Sequence, residues 1–240
     1  MRFAAVSADG PWACGDSPSL GTDQSEFMLS DLRFYVHDVS LISASGDVVS
    51  LATSNDDIWN GEGVSLIDLE DGTGPCGSGN EGINSAVNGT VPDGEYAGLT
   101  FTLGVPFEQN HQDAAVANPP FSYTAMFWGW QGGYKFMRLD GATTEGNGNR
   151  IHLGSTGCEG EIANITSCAN ENLVTVTLEP FDVATDVVAL DLEALFVAID
   201  METNAEGTPL GCMSTDDPDC VRVFEAFGLG SAPQSAFRVQ

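Results

Sequence analysis

Three histidines, His37, His111 and His152, carry the most informative chemistry in this chain of 240 residues. Neutral imidazole is the usual protein ligand for copper and zinc, and it is scarce here beside 35 acidic side chains. His37 lies in an apolar run, whereas His111 and His152 lie where predicted strands end, which is where metal sites are often built. A hydrogen-bonded structural role explains any single histidine better, but together they suggest a metal site.

A run of aromatic residues from Met126 to Tyr134 is the second feature that could take part in redox chemistry. Trp128 and Trp130 are two residues apart and therefore fall on one face of a predicted strand. Two tryptophans in this arrangement usually belong to a core, where each buries roughly 150–250 Å². The functional interpretation is that they are oxidisable side chains beside a redox metal.

Motifs of common catalytic sites are missing from the sequence. It contains no G-x-S-x-G elbow, no H-E-x-x-H motif, no Walker loop and no dinucleotide-binding fingerprint. It has no C-x-x-C-H motif, so we expect no c-type haem bound to the chain itself. The sequence therefore favours a metal-binding protein over an enzyme.

Two acidic loops, residues 68–72 and 216–219, suggest a different metal. Their carboxylates are the hard oxygen ligands that Ca²⁺ prefers, although neither loop has the EF-hand pattern. Each loop lies close to a cysteine, and acidic turns beside disulfides explain them more simply. The alternative hypothesis is an extracellular structural or adhesive β domain that binds calcium.

The chain is strongly acidic, with a formal net charge of −28. This charge excludes nucleic acids and anionic membranes as partners and suits cations, basic proteins or a salty medium. No segment reaches the roughly 18–20 apolar residues of a membrane-spanning helix. No secretion signal is present, and Met1 leads straight into a predicted strand, so we expect Met1 to stand where a leader was removed.

The six cysteines form an even set without a C-x-x-C pair, which favours disulfides over a zinc or thioredoxin-like site. Proximity in the sequence predicts the pairs Cys158–Cys168 and Cys212–Cys220, which leaves Cys14 to pair with Cys76. Since six cysteines allow about 15 connectivities, other pairings stay open. Disulfides persist in oxidising compartments, so we expect a periplasmic, extracellular or cell-surface protein.

Short β-branched and aromatic runs between Gly, Pro and Asp turns predict the strands that must position these side chains. They are Phe3–Val6, Leu32–Ile42, Val48–Leu51, Val64–Leu69, Tyr96–Val105, Phe127–Leu139 with a break at Gly132–Gly133, Leu173–Leu178 and Val187–Leu192. Residues 10–30 are rich in turn formers and are expected to be irregular. Alternation within the second strand places one set of side chains on a single face, namely Tyr35, His37, Val39 and Leu41.

Helix is predicted only near the C-terminus, as a turn or two at Glu193–Ile199 and as a segment capped by Asp219 and ended by Gly228. Many short strands with little helix predict an all-β fold, an antiparallel β-sandwich with long loops and a short C-terminal helix. A β fold of this length commonly forms one unit, so we expect a single domain over residues 1–240.

Several segments, taken in order, resemble one known family. They are RFAAV…ACG, DLRFYVHDVSLI, LIDLEDGTGPC, LTFTLGVPFEQNHQDAAVANPP, MFWGWQGGYKFMRLD, HLGSTGC, LEPFDV and GCMSTDDPDC…VFEAFGL. They run through nearly the whole chain and resemble the MbnP-like proteins, four-cysteine members of a metallo-mystery pair that are related to MopE and CorA. The strong acidity and the additional Cys14/Cys76 pair depart from that pattern.

The resemblance implies a periplasmic or surface-exposed copper-binding protein, paired with a di-haem enzyme similar to cytochrome c peroxidases (MbnH-like). That partner would oxidise a tryptophan to kynurenine, which would hold Cu(I) together with two histidines. His37 and His111 are then the first candidate ligands, and His152 is an alternate or supporting group. The candidates for oxidation are Trp128 and Trp130, inside a matching motif, and Trp59, between motifs.

Soft Cu(I) tolerates low coordination, so two imidazoles and one weak ligand would suffice. A carboxylate usually fixes the tautomer of such an imidazole, and Asp38 and Asp113 are close to His37 and His111 in sequence. A third hypothesis follows from the same resemblance, that the chain serves chiefly as the substrate of its haem partner and that copper is secondary.

Overall fold

The structure is a computed structural model that describes residues 1–129, 131–162, 164–208, 211–214 and 217–240. Its strands are β1 (Phe3–Ser7), β2 (Gly10–Pro11), β3 (Ser19–Leu20), β4 (Ser25–Ser43), β5 (Val48–Ser50), β6 (Ala52–Thr53), β7 (Asn60–Gly61), β8 (Val64–Asp68), β9 (Gly89–Thr90), β10 (Tyr96–Leu103), β11 (Phe127–Gly129), β12 (Gly133–Tyr134), β13 (Met137–Thr143), β14 (Gly148–Leu153), β15 (Thr156–Glu161), β16 (Asn164–Asn170), β17 (Val174–Leu178), β18 (Val188–Asp191) and β19 (Phe237–Val239). Its helices are α1 (Phe107–Asn110), α2 (Leu192–Phe196) and α3 (Cys220–Ala226), and 3₁₀ turns lie at Gly74–Cys76 and Thr124–Met126. The predicted all-β fold is confirmed.

Two sheets pack face to face around the main core. The larger has nine strands, with the order β14-β13-β4-β10-β17 and with β3, β5, β7 and β8 attached through β4, and the smaller has the order β19-β18-β1-β2. Phe3 and Phe237 of the small sheet make edge-to-face contacts with Phe34 and Phe101 of the large sheet, with centroids 5.5–5.9 Å apart. The pairing is antiparallel except that β1 and β18 run parallel.

The long strand β4 organises the large sheet, and it begins earlier than predicted. Residues 10–30 were expected to be irregular, but they contain β2, β3 and the first part of β4. Phe27 and Leu29 are buried while Glu26 and Met28 are exposed, so a strand alternation is present there. The prediction was wrong because the surrounding Gly, Pro and Asp residues obscured this short pattern.

A β-bulge at Asp38 corrects the predicted face of β4. His37 pairs with Thr102 and Ser40 pairs with Thr100, so two residues of β4 oppose one residue of β10. Asp38 adopts a φ of 50° there. Tyr35 and His37 therefore share a face, whereas the register that pairs Leu41 with Leu99 puts Leu41 on the opposite face, towards the small sheet.

The middle of the chain folds into hairpins that the sequence did not predict. The expected strand 127–139 is divided into β11, β12 and the first residues of β13, and β14, β15 and β16 follow in a Gly- and Asn-rich stretch. Weak β-propensity in that stretch hid these strands, because their pairing partners rather than their composition stabilise them. The segment before β13 covers the outer face of the large sheet, where the Tyr35 hydroxyl donates to the carbonyl oxygen of Pro120 at 3.0 Å.

The two predicted helices exist but are shorter than expected. The side chain of Asp191 caps α2 by accepting a hydrogen bond from the amide of Ala194 at 3.0 Å. Asp219 precedes α3 but does not cap it, since its carboxylate accepts hydrogen bonds from Ala205 and Thr208 instead. Within the described ranges, no helix is long and apolar enough to cross a membrane.

All three predicted disulfides are confirmed. They are Cys14–Cys76, Cys158–Cys168 and Cys212–Cys220. The first ties the loop before β3 to the 3₁₀ turn at Gly74–Cys76, the second joins opposite positions of the β15–β16 hairpin, and the third anchors the start of α3 to the segment beside β14.

Candidate metal centre

His152 has the geometry of a pre-oriented ligand. It lies in β14, which pairs with β13 so that His152 is opposite Arg138. Its Nε2 lies 2.7 Å from Oδ1 of Asp140, whereas its Nδ1 is buried without a hydrogen-bond partner among the described residues. A carboxylate on one ring nitrogen fixes the proton there and leaves the lone pair on the other, as in carboxylate–histidine–metal arrangements. Nδ1 is therefore the atom of His152 that could bind a metal.

Asp140 belongs to a chain of charged groups on the same face of the sheet. Arg138 donates to Asp140 at 2.8 Å and also approaches Asp31 at 3.2 Å, and Asp31 in turn pairs with the fully buried Arg33. Burial alone would raise the pKa of Asp140, but its hydrogen bond with His152 and the positive charge of Arg138 outweigh burial and lower the pKa to about 2. Asp140 thus stays ionised and keeps its hold on His152.

Trp128 lies directly beside His152. The two ring centroids are 6.3 Å apart, and the indole also contacts the backbone at Gly154 and Gly132. Trp128 is half-buried in β11 and lines a surface cavity of about 400 Å³, together with Gln131, Gly132, Ser155, Thr156, Gly157, Cys158 and Met213. An oxidisable indole and a soft thioether side chain therefore line the same cavity, and the indole lies beside a pre-oriented imidazole.

His111 contacts the disulfide that borders this cavity. It follows α1 directly, and its Nε2 lies 3.4 Å from Sγ of Cys168. The neighbouring Asn110 fixes this segment, since its side chain accepts a hydrogen bond from the amide of Tyr134 at 2.8 Å and donates to Ser155. Asp113, a predicted partner of His111, instead accepts a hydrogen bond from the amide of Ala115 at 2.9 Å.

His37 occupies a different environment, beside the β4 bulge. It is 5% exposed, and neither ring nitrogen has a hydrogen-bond partner among the described residues. The carboxylate of Asp38, predicted to support it, comes within 3.1 Å of Nδ1, but it is exposed and its direction of approach does not make a hydrogen bond. Burial lowers the pKa of His37, and the nearby charge of Asp38 only partly opposes this effect.

The structure does not gather the three histidines around one point. In the described parts of the chain, one set of three His, Cys, Asp or Glu ligand atoms lies within 4.8 Å of one another, and it consists of His111, Cys158 and Cys168. The strand register places His152 two strands across and four residues along from His37, which is roughly 16 Å between Cα atoms. His152 instead lies beside Trp128, and His111 contacts the Cys158–Cys168 disulfide; Trp128 and Cys158 both line the same cavity.

The other two tryptophan candidates are Trp59 and Trp130. Trp59 stacks on Tyr123 with ring centroids 5.2 Å apart and rings 2° from parallel. Trp130 lies outside the described residues. Of the two candidates that the structure describes, Trp128 is the one whose ring lies next to a histidine.

The acidic loop at residues 68–72 serves the fold. Asp68 and Glu70 are fully buried: Asp68 accepts a hydrogen bond from Asn80 at 2.7 Å, and Glu70 accepts one from the amide of Gly72 at 2.9 Å. Burial raises the pKa of Asp68 to about 7. In the second loop Asp216 lies outside the described residues, and Asp219 binds the backbone at Ala205. These contacts give the loops a structural role.

Two residues of this region escaped the sequence analysis. Asp140 is one acid among 35, and only the hairpin register, which aligns β13 with β14, brings it to His152. Met213 borders the cavity because Ile151 bridges to Cys212, one residue earlier. The sequence signal for Met213 was its position next to a disulfide cysteine, which does not by itself specify a neighbour in space.

Comparisons with known proteins agree with this architecture. The family model of MbnP matches residues 1–214. The structure is similar to that of MbnP from Methylosinus trichosporium, with a TM-score of 0.86 and 30% sequence identity over 100% of this chain and 96% of that one. No curated protein sequence matches the chain. A family match over most of the chain, together with a structural match over its whole length, shows that this protein belongs to the MbnP family.

Proposed function

We propose that this chain is a secreted or periplasmic copper-binding protein without catalytic turnover, and that its copper site is formed at His152, His111 and Trp128. The observation that carries the proposal is His152, whose Nε2 is held by Asp140 at 2.7 Å while its buried Nδ1 has no hydrogen-bond partner among the described residues. An unpaired buried nitrogen costs about 1–3 kcal/mol, a cost that a metal bond would remove.

The donor set fits a soft ion. Imidazole and thioether are suitable ligands for Cu(I). Met213 lines the cavity together with Trp128, His152 lies beside Trp128, and His111 contacts the disulfide whose Cys158 lines the same cavity. Bound copper would supply the redox-active, thiophilic centre of the site. The protein's own residues orient the ligands: Asp140 holds the proton of His152 on Nε2, and Asn110 anchors the segment that carries His111.

Trp128 is the proposed site of modification by a di-haem, peroxidase-like partner. Its indole is half-buried, lines an open cavity and stands 6.3 Å from the ring of His152, so it is accessible to an oxidising partner and adjacent to a ligand. Conversion to kynurenine would place a carbonyl and an amine beside the imidazole. The net charge of −28 favours a partner that presents a basic surface.

This proposal revises the ranking of ligands from the sequence. His37 was ranked with His111, but it lies roughly 16 Å from His152 by strand register, so it stays outside the proposed site. His152, expected to be an alternate group, becomes the central ligand.

The test compares two alanine variants made with and without the di-haem partner. Cu(I) affinity is measured by competition with a coloured Cu(I) chelator, and intact mass reports tryptophan oxidation. His152→Ala should weaken binding by at least about 100-fold, and Asp140→Asn, which weakens the orienting contact together with the ion pairs to Arg138 and Arg150, by about 10–100-fold. His37→Ala is the matched control and should change the affinity by less than about threefold.

Trp128→Phe should abolish the partner-dependent mass change, whereas Trp59→Phe should leave it in place. The proposal fails if His152→Ala retains the affinity of the unsubstituted protein while His37→Ala loses it. It also fails if peptide mapping places the oxidation at Trp59.

A further inference from the structure

The hairpin β15–β16 brings two sulfurs and one imidazole together at its surface. The ligand atoms of His111, Cys158 and Cys168 all lie within 4.8 Å of one another, and Nε2 of His111 is 3.4 Å from Sγ of Cys168. The two cysteines are bonded to each other, so they are not thiolates and cannot bind a metal in this state. The same three groups would form a metal site if the disulfide were opened.

We propose that the Cys158–Cys168 disulfide is a redox-controlled metal site, which on reduction binds one thiophilic d¹⁰ cation, Cu(I) or Zn²⁺, through two thiolates and His111. The inference goes beyond the proposed copper function, because it concerns the reduced protein and does not need His152 or Trp128. It assigns to His111 a second set of partners that becomes available only after reduction.

The distances suit such a site without movement of the backbone. With metal–sulfur bonds of about 2.3 Å and metal–nitrogen bonds of about 2.0–2.1 Å, a tetrahedral ion separates nitrogen from sulfur by roughly 3.6 Å and the two sulfurs by roughly 3.8 Å. The nitrogen–sulfur distance is already 3.4 Å. The sulfurs need to part by about 2 Å from their bonded separation, which side-chain rotation can provide.

The hairpin itself would keep the two thiols adjacent after reduction. Cys158 and Cys168 occupy directly opposite positions of an antiparallel pair, and the flanking pairs Thr156–Asn170 and Glu159–Ser167 continue the ladder on both sides. A ladder held by backbone pairing does not depend on the disulfide for its register. Two thiolates on neighbouring strands are then preorganised for one ion.

Reductant and metal can both reach this disulfide. Cys168 is half-buried, and Cys158 forms part of the wall of the open Trp128 cavity. A dithiol reductant would attack one sulfur, form a mixed disulfide and then close its own disulfide, so that two electrons and two protons pass to Cys158 and Cys168. Metal binding would then release both thiol protons to solvent and form two metal–sulfur bonds and one metal–nitrogen bond.

The other two disulfides provide an internal contrast. Cys212 and Cys220 are each 1% exposed, so a reductant has poor access to that bridge, and the Cys14–Cys76 bridge can be approached only from the half-buried Cys14 because Cys76 is fully buried. In the part of the chain that the structure describes, neither bridge has a third His, Cys, Asp or Glu ligand atom at metal-site distance. Only the surface pair has both the access and the imidazole in these described ranges.

The experiment reduces the full chain stepwise with a dithiol under anaerobic conditions and maps free thiols by alkylation and mass spectrometry. After removal of the reductant, Zn²⁺ is titrated against a chelator, and Co²⁺ serves as a spectroscopic probe of thiolate ligation. Cys158 and Cys168 should be alkylated first. The reduced protein should bind one Zn²⁺ at least about 100-fold more tightly than the oxidised protein and show thiolate-to-cobalt charge-transfer absorption.

Two variants separate the site from the other thiols. Cys158→Ser/Cys168→Ser should lose both signals, and His111→Ala, which keeps every cysteine, should bind at least about tenfold more weakly and alter the cobalt spectrum. His152→Ala should leave the reduced site intact, so loss of copper from the oxidised protein in that variant is a separate result. The inference is overturned if either of the other two disulfides is reduced first, or if His111→Ala binds Zn²⁺ and Co²⁺ as the reduced parent does.

Discussion

The two buried histidines on the outer face of the large sheet differ in what holds them. His152 donates a hydrogen bond to the ionised carboxylate of Asp140, which also pairs with Arg138 and Arg150. Its ring lies beside the half-buried indole of Trp128, which lines an open cavity. His37 sits beside a bulge, has no hydrogen bond on either nitrogen among the described residues, and is approached only by the exposed Asp38. Both residues are buried, with His37 5% and His152 7% exposed, so burial does not distinguish them.

The difference favours His152 over His37 as the proposed ligand, because an oriented lone pair is a more specific signal than the rarity of histidine. A ring with one nitrogen fixed by a carboxylate presents the other nitrogen in a defined direction. A ring without partners presents neither. Trp128 and Met213 are far apart in the sequence, but both line one open cavity beside His152. The proposed copper site would find a soft donor and solvent access there.

The largest expected effect tests the ion network that supports the His152 region. Arg33→Met should destabilise the protein by about 3–5 kcal/mol, because the buried Asp31 and Glu70 lose this guanidinium and Asp31 keeps only the 3.2 Å contact with Arg138. Arg222→Met, at an exposed pair with Glu225, is the matched control and should change the free energy of unfolding by less than about 0.5 kcal/mol. Urea unfolding measures the free energy of unfolding of both variants. Equally small losses in the two would show that the buried ion network does not stabilise the fold.

Replacement of each histidine by leucine tests the comparison directly. His152→Leu should cost about 2 kcal/mol, because Asp140 loses a charge-assisted hydrogen bond in a partly buried site. His37→Leu should be neutral or stabilising within about 1 kcal/mol, since it removes two buried nitrogens without partners. Metal-free protein and thermal or urea unfolding give both values. A larger loss from His37→Leu than from His152→Leu would reverse the comparison.

The His37 region and the His152 region should lose stability in different pH ranges. Burial lowers the folded pKa of His37 below 6.5, so protonation of this ring destabilises the folded state; the cost is absent above pH 6.5 and develops as the pH falls through the folded value. The folded pKa of Asp140 is about 2 against 3.8, so its contribution, about 2 kcal/mol, is present above pH 3.8 and is lost as the pH falls towards 2.

The pH dependence that Asp68 contributes has the opposite sign. Its folded pKa is raised to about 7, so its contribution to stability is lost as the pH rises from 3.8 through 7. Difference curves therefore isolate each group. The parent minus His37→Leu should change with pH below 6.5 and the parent minus Asp140→Asn should change below pH 4, as followed by unfolding at a series of pH values. A flat His37→Leu difference between pH 6.5 and 4 would contradict the assigned burial of His37.

The sequence by itself determined the all-β class, the family resemblance and the short set of residues from which a site could be built, and it predicted the three disulfides that the structure contains. Those features follow from local pattern and proximity: alternation marks strands, and the cysteines 8 and 10 residues apart pair most readily with each other. The twelve-residue step from Asp140 to His152 lies within one hairpin, but its register depends on pairing that a weak, Gly-rich stretch does not specify.

The tertiary structure alone decided which histidine has an oriented nitrogen, which tryptophan stands beside it and on which face each side chain lies. The bulge at Asp38 is an example, because one additional residue in β4 moves Leu41 to the face opposite His37. The partners of His152, Trp128 and His111 come from separate strands and loops. Their meeting depends on sheet register and loop packing, which involve contacts between residues distant in the chain and so cannot be read from local sequence.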